Sequence, residues 1–366
     1  MSDLYNKYHL KKVINASGKM TILGVSTLAG PVIDAQKFGD EHFFEMADLV
    51  KQTGRHLAEL LGAEDAIVVN SASSGIAESV AALIGRGSKH HVYHPYDARY
   101  TKREIIIPKG QNVDYGTPEE VMIAVGGGQV VEAGYANMCS PEHLEIMITD
   151  QTVGILYVKS HHAVQKSMLT VAEAVKVAHD HQLPLILDAA AEEDLRKYLD
   201  LGVDIIIFSG GKALVGPASG LVYGKKQYID WIRLQSLGLG RAMKVGKENI
   251  MGLTRAIEDY LQAGPEDGDS MQRRLQPFLT ALNAVPYVEA TAVQDGAGRD
   301  IYRASVVIQP ESPQNAKVVT AALKSGNPAI YTREYRANVG IIEFDIRAVD
   351  QAEMDAIVQR LHEILD

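Results

Sequence analysis

From Ala66 onward the chain alternates short, almost continuous apolar runs with stretches of helical periodicity. Residues 67–69, 105–107, 130–131, 153–158, 184–188, 205–208 and 220–224 read as strands. Residues 75–84 and 170–181 read as helices, the second with Val171, Ala174, Val175 and Ala178 on one face. A strand that is apolar at every position has no face to give to water. Such strands need cover on both sides, which helices between parallel strands provide. The expected fold class is therefore α/β, with a mostly parallel sheet. Open sheets of this kind bind ligands beyond the carboxyl ends of their strands, so the residues that close the strands are where chemistry is expected.

Two of those ends carry reactive groups. Pro184-Leu185-Ile186-Leu187-Asp188 ends in a carboxylate, and Ile205-Ile206-Ile207-Phe208 runs into Ser209-Gly210-Gly211-Lys212. A lysine behind Ser-Gly-Gly meets few side-chain obstacles and can reach a cofactor aldehyde and swing away from it. A strand-end Asp followed by a strand-end Ser-x-x-Lys fits pyridoxal 5'-phosphate: Lys212 for the Schiff base, Asp188 for the ring nitrogen. Taken singly, Lys212 reads better as a loop lysine and Asp188 as a helix N-cap; the pair favours the cofactor. Asn70-Ser71-Ala72-Ser73-Ser74-Gly75 joins a strand to a helix, and its small residues allow N–H groups and hydroxyls to close on a phosphate at the helix N-terminus. The other reading of that loop is a capping turn. Ser71, Ala72 and Ser73 are the expected phosphate contacts, with Ser209 adding a hydroxyl. His161 follows the strand at 153–158 and is expected near the cofactor ring.

The chain has 366 residues, a net charge of −10 and one cysteine, Cys139. The charge disfavours nucleic acid as a partner, because phosphate backbones need concentrated Lys and Arg. The lone cysteine forms no internal disulfide, which points to a reducing cytoplasm. No apolar run is long enough to span a bilayer, and residues 1–7 carry no apolar leader core. Three parts are expected: an N-terminal arm at 1–62, a large α/β domain at 63–262 that ends in a helical connector, and a small α+β domain at 263–366. The break between the last two is marked by Gly264-Pro265-Glu266-Asp267-Gly268.

Gly238-Leu239-Gly240 lacks the third glycine of a dinucleotide fingerprint and follows a helix, so a nicotinamide cofactor is discounted. His90, His91 and His94, and the adjacent His161 and His162, have no Cys or carboxylate spacing to complete a metal site, so no metal is expected. An amino-acid substrate brings a carboxylate, and a guanidinium is its usual bidentate partner. Arg241, Arg333, Arg336 and Arg347 are the candidates, with Lys244 and Lys109 behind them.

With these residues in hand, the chain resembles the fold-type I pyridoxal phosphate enzymes, and within them the relatives of bacterial selenocysteine synthase. Four segments carry the likeness. Val13-Ile14-Asn15-Ala16-Ser17-Gly18 is similar to the family's opening Ile-Asn-Ala-Thr-Gly. Val68-Val69-Asn70-Ser71-Ala72-Ser73 is similar to its phosphate loop. DIIIFSGGKALVGPASG at 204–220 closely matches its lysine segment, and Phe344-Asp345-Ile346-Arg347 is similar to its terminal Asp-Leu-Arg. Two departures stand out. The Asp-Leu-Gly-Ser-Gly after the family's pyridine-binding Asp is here Asp188-Ala189-Ala190-Ala191-Glu192. Gln111 stands where small-molecule relatives often carry the His beside the ring, so the resemblance implies Gln111 as a cofactor contact. Within the family the combination looks most like the ammonia-lyases of 2-amino sugar acid phosphates. The resemblance thus implies loss of water and then ammonia from 2-amino-2-deoxygluconate 6-phosphate, with Lys212 moving the Cα proton. It also implies a homodimer or higher homo-oligomer, with the N-terminal arm as a crossing element. The alternatives are a racemase, a Cβ–S lyase, a selenium transferase or a catalytically dead binding protein.

Overall fold

The computed structural model describes residues 4–160, 162–296 and 299–366. The chain divides into two units, Leu28–Gly264 and Met1–Thr27 with Pro265–Asp366. In the larger unit seven strands form one sheet, in the spatial order Asp65–Val69, Gly220–Gly224, Ile205–Ser209, Leu185–Asp188, Thr152–Val158, Glu104–Pro108 and Gln129–Ala133. All neighbours are parallel except Gly220–Gly224, which runs antiparallel to both Asp65–Val69 and Ile205–Ser209. That one reversal follows from chain length. The loop between Ser209 and Gly220 holds no helix to carry the chain back across the sheet, so the next strand returns beside its predecessor.

The lysine strand shows why the runs are apolar throughout. Ile206 and Phe208 enter a core with Leu57, Ala178 and Tyr223. Ile205 and Ile207 point the other way, into a core with Ile76, Val80 and Leu83. Successive side chains face opposite layers, and both layers are covered by helices. Each such side chain contributes roughly 1.5–3 kcal/mol of burial. The mostly parallel α/β sheet is as the sequence predicts.

The smaller unit holds a three-stranded antiparallel sheet, Ile341–Phe344, Tyr302–Ile308 and Val288–Gln294. It packs with Gly268–Leu282, Ala316–Ser325 and Gln351–Leu365 around Phe278, Phe344 and Leu361. This is the α+β arrangement expected for the C-terminal part. Two features differ from expectation. Val288–Gln294 is a strand whose outward positions are polar or small, so its apolar signal is weak. Residues 1–62 do not form one arm. Val13–Ala16 pairs in parallel with Ala329–Thr332 in the smaller unit, while Met46–Leu61 packs on the sheet of the larger one through Leu49, Leu57 and Leu61. Long-range pairing of a four-residue strand leaves no local trace in the sequence.

Candidate active site

Val69, Pro108, Val158, Asp188 and Ser209 all close parallel strands, so the segments after them open at one edge of the sheet. Ser71, Gln111, Asp188, Ser209 and Lys212 lie at those strand ends or in the segments just after them. The edge is built tightly. Gly220 lies between the ends of two strands, paired with Val69 and Ser209. A Cβ on Gly220 would sit 2.6 Å from the Ser71 carbonyl carbon and 2.8 Å from the Ala72 nitrogen. The missing side chain lets the Ser71-Ala72 backbone settle against the sheet.

Ser71 caps the helix Ala72–Gly85. Its Oγ accepts from the Ser74 N–H at 3.0 Å, and Ser74 Oγ accepts from the Ser71 N–H at 2.9 Å. The loop is a capping box that opens a fourteen-residue helix at the sheet edge. Ser73 Oγ lies 2.9 Å from the hydroxyl of Tyr115, a residue the sequence reading did not single out. Burial pushes that phenol up to about 12, so it stays protonated and available as a donor.

Asp188 is buried, and its Oδ1 accepts from the Ala190 N–H at 2.9 Å. Burial pushes its carboxyl above the ordinary range; the Ala190 N–H, Lys212 and Glu119 act in the opposite direction. Lys212 is half-buried, and its N–H donates to Ser209 O at 3.4 Å, closing the turn that leaves the strand. Ser209 is held in turn by a bond from its N–H to Ala190 O at 3.3 Å. The turn after the lysine is packed without slack, since a Cβ on Gly210 would lie 2.2 Å from Ser219 Oγ. Gln111 is buried, and its Oε1 accepts from Val158 N–H at 2.9 Å. Its amide thus ties two strand ends together. His161 lies outside the described residues.

Glu119 is the main residue that sequence reasoning missed. It is 1% exposed and lies among Asp188, Lys212 and Tyr115. Of the arginines, Arg241 is exposed on a turn at Leu239–Arg241 in the larger unit. In the smaller unit Arg336 is exposed, and Arg333 lies 3.4 Å from Glu343 and over the Tyr335 ring. Arg347 grips Asp345 with two bonds, at 2.9 and 2.8 Å. Burial works against the Asp345 charge, but Arg347 and Arg303 hold it at about 2. Gly18 packs on the same carboxylate, 3.1 Å from where its Cβ would be, and Asp345 N–H donates to Ala16 O. Two of the four segments that carry the family likeness therefore meet each other in the smaller unit.

Residues 46–284 match the family model of L-seryl-tRNA selenium transferase, SelA. The chain belongs to this family. It is 44% identical to D-glucosaminate-6-phosphate ammonia lyase of Salmonella typhimurium, covering all of this chain and 98% of that protein. It is 34% identical to 5'-C-glycyluridine monooxygenase-decarboxylase of a Streptomyces species, covering 99% of this chain and 92% of the other. A solved structure of D-glucosaminate-6-phosphate ammonia-lyase superposes with a TM-score of 0.94 at 43% identity, over all of this chain and 98% of that one. A NifS-like protein superposes at 0.58 with 15% identity, which shows the shared fold alone. The fold is that of the fold-type I pyridoxal phosphate enzymes, as the lysine segment implies.

Proposed function

We propose that this chain is a pyridoxal phosphate-dependent ammonia-lyase that converts 2-amino-2-deoxy-D-gluconate 6-phosphate to 2-keto-3-deoxygluconate 6-phosphate and ammonia. The observation that carries the reading is the full-length 44% identity to an ammonia-lyase of that substrate. The site fits the cofactor: a buried Asp188 carboxylate accepts one backbone N–H and is suited to a cationic ring nitrogen, Lys212 enters the same edge, and a helix N-terminus is free to take a phosphate. When bound, the cofactor supplies an electron sink for the substrate's α-carbon.

The chain's own groups do the rest. The Lys212 amine takes the Cα proton and gives it to the departing C3 hydroxyl, which leaves as water, so one amine serves as base and then as acid. Asp188 keeps the ring nitrogen charged. Ser71, Ala72, Ser73 and Ser209 hold the cofactor phosphate, with His161 and Gln111 toward the ring. Arg241, Arg333, Arg336 and Arg347 are the candidates for the substrate's carboxylate and distal phosphate. The enzyme works in the cytoplasm as a homodimer or larger homo-oligomer.

The likeness to a monooxygenase-decarboxylase supports a second reading, oxidative loss of the substrate carboxylate. One experiment separates them. The holoenzyme is incubated with 2-amino-2-deoxygluconate and its 6-phosphate while keto acid, ammonia and dissolved oxygen are followed. The proposal expects keto acid and ammonia in equal amounts without oxygen uptake. It also expects kcat/KM at least roughly a hundredfold higher for the phosphorylated acid, the worth of two charge-assisted contacts. Oxygen uptake with carbon dioxide release would replace the lyase reading, and equal kcat/KM for the two acids would remove the distal phosphate site.

A further inference from the structure

Pro118-Glu119-Glu120 opens the helix Glu119–Val125, and two acids in a first turn usually both face water and the helix dipole. Here they part. Glu120 is exposed, whereas Glu119 is 1% exposed, held inward by a bond from its own N–H to Val113 O at 3.1 Å. Among the described residues, its buried Oε2 has no hydrogen-bond donor. The side chain it interacts with is Asp188, another buried acceptor. Two buried carboxyl groups in contact cannot both ionise, and one proton between them satisfies both. Burial and Asp188 push the Glu119 carboxyl up to about 9, while Lys212 and Glu119 act to lower that of Asp188.

We propose that Glu119 is a positioning residue for Asp188: as a neutral acid it donates a hydrogen bond to the Asp188 carboxylate and keeps the pair at one negative charge, matching one cationic ring nitrogen. The inference rests on the cofactor reading above. With both carboxyls ionised, a bound cationic ring would leave a net buried negative charge. With neither ionised, nothing would hold the ring nitrogen charged. The donated bond resolves this by lowering the proton affinity of Asp188 and fixing its orientation. The other groups facing Glu119 are Lys212, whose charge opposes the effect of Asp188, and Tyr115, which is neutral and committed to Ser73.

The test compares wild type, Glu119→Gln and Glu119→Ala, each stripped of cofactor and titrated with pyridoxal 5'-phosphate carrying 15N in the ring. The visible band reports binding and the nitrogen chemical shift reports ring protonation. Gln keeps a donor to Asp188, so it is expected to bind within roughly threefold of wild type with the nitrogen protonated. Ala removes the donor and is expected to bind roughly tenfold or more weakly, the worth of one hydrogen bond to a charged group, with the nitrogen signal moved toward the unprotonated position. In the cofactor-free chain, the infrared carbonyl band of a protonated carboxyl is expected to diminish in Glu119→Gln relative to wild type. If wild type fails to take up the cofactor, the cofactor reading itself falls. If wild type binds and Ala matches it in affinity and nitrogen shift, or Gln is as impaired as Ala, the role of Glu119 falls and the cofactor reading stands.

Discussion

Glu78 lies on the helix that Ser71 caps, in the layer against the sheet, and is 5% exposed. Burial alone pushes its carboxyl from 4.5 to about 8. Its Oε2 faces the backbone of Gly240, close enough that a Cβ there would lie 3.0 Å away. The group is therefore neutral at pH 7, so no negative charge is buried in that layer. Because the folded chain holds this proton more tightly than the unfolded chain, the associated stability is complete below pH 4.5. It falls as pH rises, and the loss levels off once pH passes about 8. At about 1.4 kcal/mol for each pH unit between the two values, the loss is on the order of 5 kcal/mol at high pH and roughly 3 kcal/mol at pH 7. Glu78→Gln removes this titration and leaves the shape nearly unchanged. Urea unfolding of cofactor-free wild type and Glu78→Gln, at pH 5 and at pH 8, measures it. The stability difference is expected to move in favour of the Gln variant by roughly 3 kcal/mol between the two conditions. A difference that does not change with pH would refute the reasoning, whatever its absolute size.

Four other outcomes are expected. Borohydride reduction of the holoenzyme followed by peptide mapping should mark Lys212, and a mark on another lysine would sink its role. Asp188→Ala should retain some cofactor, yet lose at least roughly a hundredfold in turnover, because removing one partner of a buried ion pair typically costs 3–5 kcal/mol; near-normal turnover would show that the ring nitrogen is held charged by another group. Gly220→Ala forces a methyl against the Ser71 carbonyl carbon, so thermal unfolding should show a loss of about 1–3 kcal/mol along with weaker cofactor retention, and an unchanged midpoint would mean the edge gives way freely. Light scattering of the active enzyme should report a dimer or larger species, an expectation that an active monomer would overturn.

How far the sequence reached depended on the range of the interactions. The central strands are legible because both faces are buried, so Ile205 to Phe208 had to be apolar at each position whatever its neighbours. The placement of Asp188 and Lys212 was legible because Asp188 ends one such strand and Lys212 follows the end of another, and strand ends of a parallel sheet share one edge. The division of residues 1–62 was not legible, since Val13–Ala16 finds its partner at Ala329–Thr332 and four residues cannot encode a pairing some three hundred positions away.

Glu119 marks the boundary most sharply. Its local signals are Pro118 before it, Glu120 after it and a short helix, and each of them reads as ordinary first-turn chemistry on a solvated surface. What distinguishes it from Glu120 is its burial beside Asp188, which ends the strand Leu185–Asp188. Composition and periodicity report which side chains leave water; they do not report which buried acid meets which. A buried carboxyl at a helix start is therefore a signal that only the fold can raise, and its neighbour, the strand-end Asp188, is what gives it a chemical meaning here.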